Sequence, residues 1–597
     1  MSPNNRPLRI GGASAFWGDS ALGVEQLVRL GRTDVLVFDY LAELTLSLMA
    51  RARAKDPEAG YATDFVSDLK PHLAKIARDG IKLLSNAGGM NPQACARALR
   101  AGAAETGVKL RIVVVEGDDL GAQEAHIRER GTREMFSGAA MPARLTSVNA
   151  YLGAQPIATA LDEGADVVIT GRCVDSALAL AALIHHFGWK PEDYDRLAAG
   201  SLVGHLLECT TQTTGGLYTD WLSLPADAEI GYPIAICEAD GSFVLTKPEN
   251  TGGRIAPLVV AEQMLYEIAD PGCYLLPDVQ CDFSGVTLVS DGENRVRFQG
   301  ARGCAPTATY KVSATWHDGW RLSSTLTIVG EEAVAKAERV GELILARSRR
   351  LFAARGFEDF AETQIEVLGS ERLSYGDGAR GLASREVVLR VACRHTSSAA
   401  LALMAREFAP FGTAGSPGTT GFSGRPKVQP VFRLFSFLWP KEDVPVTLRE
   451  EGKAALPVKL PGAAKPSRET VEPRHYPSMA SHVAGERKLP LHRLAVARSG
   501  DKGDSVNIAV IAREPRFVPF ISASLPAARV REHFAHLVRG DIKRYDVPGV
   551  DAFNFVAQLA LAGGGAASLR NDPLGKTFAQ VLLAIDIDVP ADLDVDG

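Results

Sequence analysis

The sequence predicts an α/β protein with three parts: a Rossmann-like parallel sheet, a β-rich elaboration of it, and a C-terminal ferredoxin-like α+β domain. Three observations carry this. Over residues 1–200 short β-branched runs alternate with longer helical patterns, as in a parallel sheet covered by helices on both faces. Over 201–330 Gly, Thr and Pro punctuate the chain too often for long helices. Beyond 491 strands and helix alternate again in a unit small enough for a two-layer sandwich.

The core strands are expected at 8–12, 34–38, 81–85, 110–115 and 166–170, with helices near 21–30, 64–79, 92–106, 157–163 and 176–187. Three of these strands end in polar or glycine turns: Asn86-Ala87-Gly88-Gly89, Glu116-Gly117-Asp118-Asp119, and Gly171 through Asp175. In open α/β sheets ligands bind beyond such carboxyl ends. Strand-like stretches follow at 242–246, 286–289 and 307–313. The segment 331–452 reads as helix 331–355, strand 386–393, helix 397–407, a loop at 412–426 and strand 428–438. Prolines with Lys, Glu and Ser and no periodicity mark 453–490 as a solvated linker. The last unit, 491–597, shows strands at 491–496 and 506–512, a helix at 527–538, a segment at 552–561 and a strand at 581–589.

Composition sets the class. With 597 residues the chain is long enough for about three or four domains. Its 46% hydrophobic and 23% charged residues exclude a mostly disordered chain. Net charge is −6 and pI near 6.1, which argues against nucleic-acid binding. No apolar run approaches the roughly 18 residues of a membrane span, and residues 1–9 lack the apolar stretch of a signal peptide, so a cytoplasmic location is expected. The eight cysteines include no C-x-x-C pair, so no metal site is assigned and reduced thiols are expected.

Several short motifs can carry chemistry. Gly11-Gly12 after the first strand, with Asp39 closing the second, imitates a dinucleotide fingerprint, although the spacing departs from G-x-G-x-x-G. Two readings stand: cofactor binding through Gly11, Gly12 and Asp39, or a tight first βα turn. No phosphate-binding P-loop motif occurs, and no cofactor is firmly implied. Asn86 with Gly88 and Gly89 precedes Pro92, which suits the first position of a helix, so free amides there can hold a carboxylate, phosphate or enolate oxygen. The alternative is a well-formed loop with Asn91 as N-cap.

At the next strand end Arg172 and a helix start flank Cys173, which would lower its thiol pKa and favour a nucleophile. A small buried cysteine and a capping Asp175 are the plain alternative. His205 and Glu208, three apart on a helix, can form an acid/base pair, and Gly215-Gly216 after them would let a ligand approach the backbone. The cluster 247–254 adds mixed charge. In the last domain Asp501, Lys502 and Asp504 crowd one inter-strand turn beyond what turn chemistry needs, which favours a ligand or interface role.

Together these segments resemble the acyclic terpene utilisation AtuA family. The matching motifs are Ile10-Gly11-Gly12 with Phe16-Trp17-Gly18-Asp19, Asp39-Tyr40-Leu41-Ala42-Glu43, Asn86 through Pro92, Gly171 through Asp175, Glu208-Cys209 with Thr214-Gly215-Gly216, Tyr266-Glu267-Ile268 with Asp270-Pro271, and Pro277-Asp278-Val279. Residues 491 onward are similar to the small ferredoxin-like domain found with that family, through Arg498 to Asp504 and Asn554-Phe555. The resemblance implies catabolism of acyclic terpenes or related branched chains through acyl-CoA thioesters, with CoA entering as part of the substrate; a homo-oligomer is the expected assembly. The expected chemistry is a hydratase/dehydratase-type lyase step. Asp175 or Glu208 with His205 would move protons, while the Gly88-Gly89 amides and Arg172 would stabilise a thioester enolate. The alternatives are a non-catalytic binding or assembly subunit of an acyl-CoA-processing complex, and an NAD-linked enzyme.

Overall fold

The computed structural model describes residues 5–225, 228–422, 424–460, 476, 487–565 and 567–595. Its centre is built from β1 (Leu8–Ser14), β2 (Val35–Phe38), β3 (Lys82–Ser85), β4 (Ile112–Glu116) and β6 (Val167–Thr170), while β5 (Ser147–Ala150) leaves this sheet to pair elsewhere. The five core strands lie parallel in the order β1-β2-β3-β6-β4. Their central residues are apolar on both sides of the sheet because both faces are covered. Val35, Val37, Leu84, Val113 and Val168 face one core cluster, and their neighbours Leu36, Phe38, Leu83, Val114 and Ile169 face the other.

The first face is covered by the helices Gln155–Asp162, Ala177–Phe187 and Tyr194–Glu208, and the second by Leu22–Leu30, Thr63–Leu69, Leu73–Asp79 and Pro92–Glu105. The chain steps outward through β1, β2, β3 and β4 and then returns to insert β6 between β3 and β4. In open α/β sheets ligands bind beyond the carboxyl ends of the strands at such a reversal.

The sheet is mixed, not purely parallel. Strands β7 (Ile234–Cys237) and β8 (Phe243–Thr246) extend it beyond β1 in antiparallel fashion, followed by Val296–Gln299 and Thr287–Ser290, while Thr447–Glu450 pairs antiparallel with β4. The expected boundary at 200 falls inside the helix Tyr194–Glu208. The 21-residue strand Thr309–Val329 pairs with Gln429–Pro440, Glu386–His395 and β5, so the segments read as 201–330 and 331–452 share one second sheet. The helix expected at 331–355 is Ala333–Ala354, packed on that sheet.

In the ferredoxin-like domain Ala495–Lys502, Ser505–Ala512, Ala552–Ala557 and Ile542–Val547 form a four-stranded antiparallel sheet in that spatial order. The segment read as a strand at 581–589 is the end of the helix Phe578–Leu582 followed by a shorter strand, Asp586–Val589. Of the linker expected at 453–490, residues 461–475 and 477–486 lie outside the described residues. Among those described, no helix is long and apolar enough to cross a membrane.

Candidate active site

Asp39 follows β2 directly, Arg172 and Asp175 follow β6, and Glu208 ends the helix Tyr194–Glu208. The strand order brings these distant positions to one rim, where carboxylate oxygens of Asp39, Asp175 and Glu208 all lie within 4.8 Å of one another. Asp39 is buried and held by its neighbours: its Oδ1 accepts from Asn86 Nδ2 (2.6 Å) and from the Leu41 amide (3.1 Å). Asn86 in turn accepts from the Tyr40 amide at 2.8 Å. Its side chain is therefore engaged in positioning Asp39, a structural task in place of the expected substrate contact.

Burial drives the Asp39 carboxyl well above its ordinary range, and the negative charge of Asp175 adds to this, with Arg172 opposing. Glu208 is raised in the same way, by burial first and then by Asp175 and Glu267. Three carboxylates so close can share protons or hold a hard cation such as Mg²⁺. No sequence spacing announces this grouping, because the three residues come from different elements.

His205 and Glu208 are paired as expected, Nδ1 to Oε1 at 3.1 Å. The ring is buried, its Nε2 lies 3.2 Å from the carbonyl of Gln263, and burial pushes the imidazole down to about 4. A neutral ring that donates from Nε2 to a carbonyl leaves Nδ1 as an acceptor, so the protonated Glu208 carboxyl is the donor between them.

Arg172 is nearly fully buried and reaches Asp175 at 2.6 Å and the Cys173 carbonyl at 2.8 Å. Its guanidinium stacks 4.2 Å from the centre of the Tyr151 ring. Its backbone is fixed by Asp118, which accepts from the Arg172 amide (2.7 Å) and from Asn149 Nδ2 (2.9 Å). Burial raises Asp118 to about 7. Gly171 is needed beside it, because a Cβ there would lie 2.3 Å from the Asp118 carboxylate.

The C-terminal domain closes the site within the same chain. Lys502, last residue of Ala495–Lys502, lies with its ammonium 5.8 Å from the centre of the Tyr274 ring. Tyr274 above all, then Glu267, Asp175 and Glu208, hold that ammonium above the ordinary lysine range. Because Lys502 is exposed, water screens these attractions. Lys576, from the same domain, pairs with Glu267 at 3.2 Å and contacts the Tyr266 hydroxyl. Sequence reasoning missed Asp118, Tyr274 and Lys576 as site residues and met Glu267 only inside a family motif. Their one shared signal is a polar group beside an element's end.

Other expected residues do different work. Gly11 and Gly12 lie inside β1, not in a turn, and a Cβ on Gly12 would sit 2.4 Å from the Leu207 carbonyl. Helix Tyr194–Glu208 thus occupies the space a dinucleotide phosphate would need, and Asp39 belongs to the carboxylate group. The Gly89 amide donates to the Asn86 carbonyl (3.2 Å), so it is engaged within the turn instead of facing the expected enolate, and a Cβ on Gly88 would meet the Thr170 carbonyl at 2.4 Å. Asn91 caps the following helix through the Ala94 amide.

Gly215 and Gly216 close a turn, the Gly216 amide donating to Thr211 at 2.8 Å, rather than admitting a ligand. The 247–254 cluster folds onto the same turn, with the Arg254 amide on the Thr214 carbonyl (2.7 Å). Cys173 is fully buried, and burial raises its thiol, the reverse of the expected thiolate; the neighbouring Arg172 opposes this without overcoming it. Asp504 accepts from the Leu561 and Gly563 amides, both at 3.0 Å, and so pins a loop instead of a ligand. Asp501 lies 3.8 Å from Lys576.

The model of the acyclic terpene utilisation family protein AtuA matches residues 8–449, and that of the AtuA ferredoxin-like domain matches residues 489–588. No curated protein matches the chain. The first match implicates the chain in acyclic terpene utilisation, which is consistent with a catabolic role.

Proposed function

The chain belongs to the acyclic terpene utilisation AtuA family, and from that premise we propose that it adds water to, or removes water from, a branched CoA-linked acyl substrate. The observation that carries this reading is the shared carboxylate group of Asp39, Asp175 and Glu208. An acid held protonated by burial beside a carboxylate in contact with a guanidinium supplies both partners of a proton-transfer reaction.

In the hydration direction Asp175 takes a proton from the attacking water, whose oxygen bonds to the β-carbon. Electron density moves onto the thioester oxygen, Glu208 turns its O–H from His205 Nδ1 to the substrate and delivers that proton to the α-carbon, and the proton gained by Asp175 passes to Glu208 within the carboxylate group, which restores both. His205, accepting at Nδ1, keeps the Glu208 carboxyl oriented. The developing enolate needs a cation in place of the Gly88-Gly89 turn, and Lys502 is suited to supply it, with Arg172 tuning the carboxylates.

The test is direct. Purified protein incubated with geranyl-type and other branched enoyl-CoAs should change the thioester mass by one water. No change with any of them would sink the reading.

A further inference from the structure

We propose that Asn507 and Asn554 of the ferredoxin-like domain are positioning residues, which hold the turn at 265–269 and thereby present Glu267 to the acid–base site. Serving that site rests on the reading above; the hold itself rests on geometry alone.

The sheet of this domain has two unlike faces. Val506, Ile508 and Val510 pack into the domain's own core, whereas Ala509, Ile511, Val496 and Ala552 belong to the core of the first domain. On that second, apolar face lie two asparagines, 2% and 0% exposed. Docking needs only apolar side chains there, so two buried amides on it call for a reason. Among the described residues, every side-chain hydrogen bond they make is to the turn or to each other. Asn507 Nδ2 donates to the Leu265 carbonyl (2.7 Å) and to Asn554 Oδ1 (3.1 Å), and its Oδ1 accepts from the Glu267 amide at 2.9 Å. Asn554 Nδ2 donates to the carbonyls of Ile268 (2.8 Å) and Ala269 (2.7 Å).

The turn is one that needs holding. Glu267 sits at φ 58°, a left-handed conformation unfavourable for its side chain. Gly500 makes room for it, since a Cβ there would lie 2.4 Å from the Tyr266 ring. So held, the Glu267 carboxylate pairs with Lys576 and acts on Glu208 and Lys502. The domain thus contributes two cations of the site, Lys502 and Lys576, and also fixes the carboxylate they face.

Amide exchange in the full chain tests the hold without reference to any reaction. Asn507→Leu and, as a second variant, Asn554→Ala should speed exchange over 265–269 by about tenfold while leaving the strands β2 and β6 protected. Arg513→Ala, which removes an interdomain ion pair with Asp220 away from the turn, should leave 265–269 as in the wild type. Unchanged exchange in both asparagine variants, or equal acceleration in Arg513→Ala, overturns the proposal.

If branched enoyl-CoAs react, Asn507→Leu should lower kcat with KM little changed, because the Glu267 carboxylate is no longer held against Lys576. An unchanged kcat despite faster exchange over 265–269 would mean that Asn507 does not position Glu267 for the reaction. Altered exchange without any reaction would sink the hydration reading and leave the hold standing.

Discussion

Glu208 and His205, one helical turn apart, share a hydrogen bond whose direction is set from the far side of the imidazole, where Nε2 faces the Gln263 carbonyl. Glu208→Gln keeps a donor for Nδ1 but has no proton to release. Its hydration rate should fall by about 10²- to 10⁴-fold with the melting temperature little changed. A variant as fast as the wild type would remove Glu208 from the chemistry.

Asp39 and Glu208 both bind their protons more tightly folded than unfolded. Above the ordinary carboxylate range the folded state therefore holds the extra protons, and stability falls as pH rises. Asp39→Asn retains an oxygen for the Asn86 and Leu41 donors and removes this titration. It should be more stable than the wild type at about pH 8, and the advantage should vanish near pH 4. Urea melts at the two pH values measure the difference. Calorimetry with Mg²⁺ in two buffers would expose the contrary case: tight binding with proton release would mean that the carboxylates serve an ion.

The core strands were legible because a strand covered on both faces is apolar at its centre, as Val35 to Phe38 and Val167 to Ile169 are. The pairing of His205 with Glu208 was legible because helical spacing is local. The meeting of Asp39, Asp175 and Glu208 was not, since it depends on β6 inserting between β3 and β4. Glycines misled for a related reason: Gly12 and Gly88 admit protein backbone, from Leu207 and Thr170, as readily as a ligand, and sequence does not distinguish the guest. Within one hairpin Lys502 turns to the site while Asp504 pins a loop, a division set by what packs opposite.

Lys502→Met removes the ammonium from an exposed hairpin end and keeps much of the apolar stem. Stability should barely change, while the hydration rate should drop by about 10²-fold if the cation stabilises an enolate. A rise in KM at constant kcat would assign it to binding alone.

Cys173 is expected to be inert. Its thiol is buried and raised, so alkylation of the native protein should label the exposed Cys273 and spare Cys173. Cys173→Ala should cost about 1 kcal/mol of stability through lost packing and leave the rate within a few-fold. Loss of the reaction would restore the thiol as a nucleophile.

Asp118 gives a sharper pH signature than the carboxylate group, because burial raises it from an ordinary 3.8 to about 7. Its extra proton affinity stabilises the fold fully below about pH 4, and this contribution is lost as pH rises toward 7, a change of roughly 4 kcal/mol. Asp118→Asn should remove that slope from the wild-type stability profile. Gly171→Ala attacks the same contact from the other side. With its new methyl 2.3 Å from the carboxylate, either the Asp118 bond to the Arg172 amide or the strand end must shift, costing about 1–3 kcal/mol. Because Arg172 and Asp175 ride on that amide, Gly171→Ala should also slow the reaction, whereas a variant as stable and as active as the wild type would show that the Asp118 contact does not fix this loop.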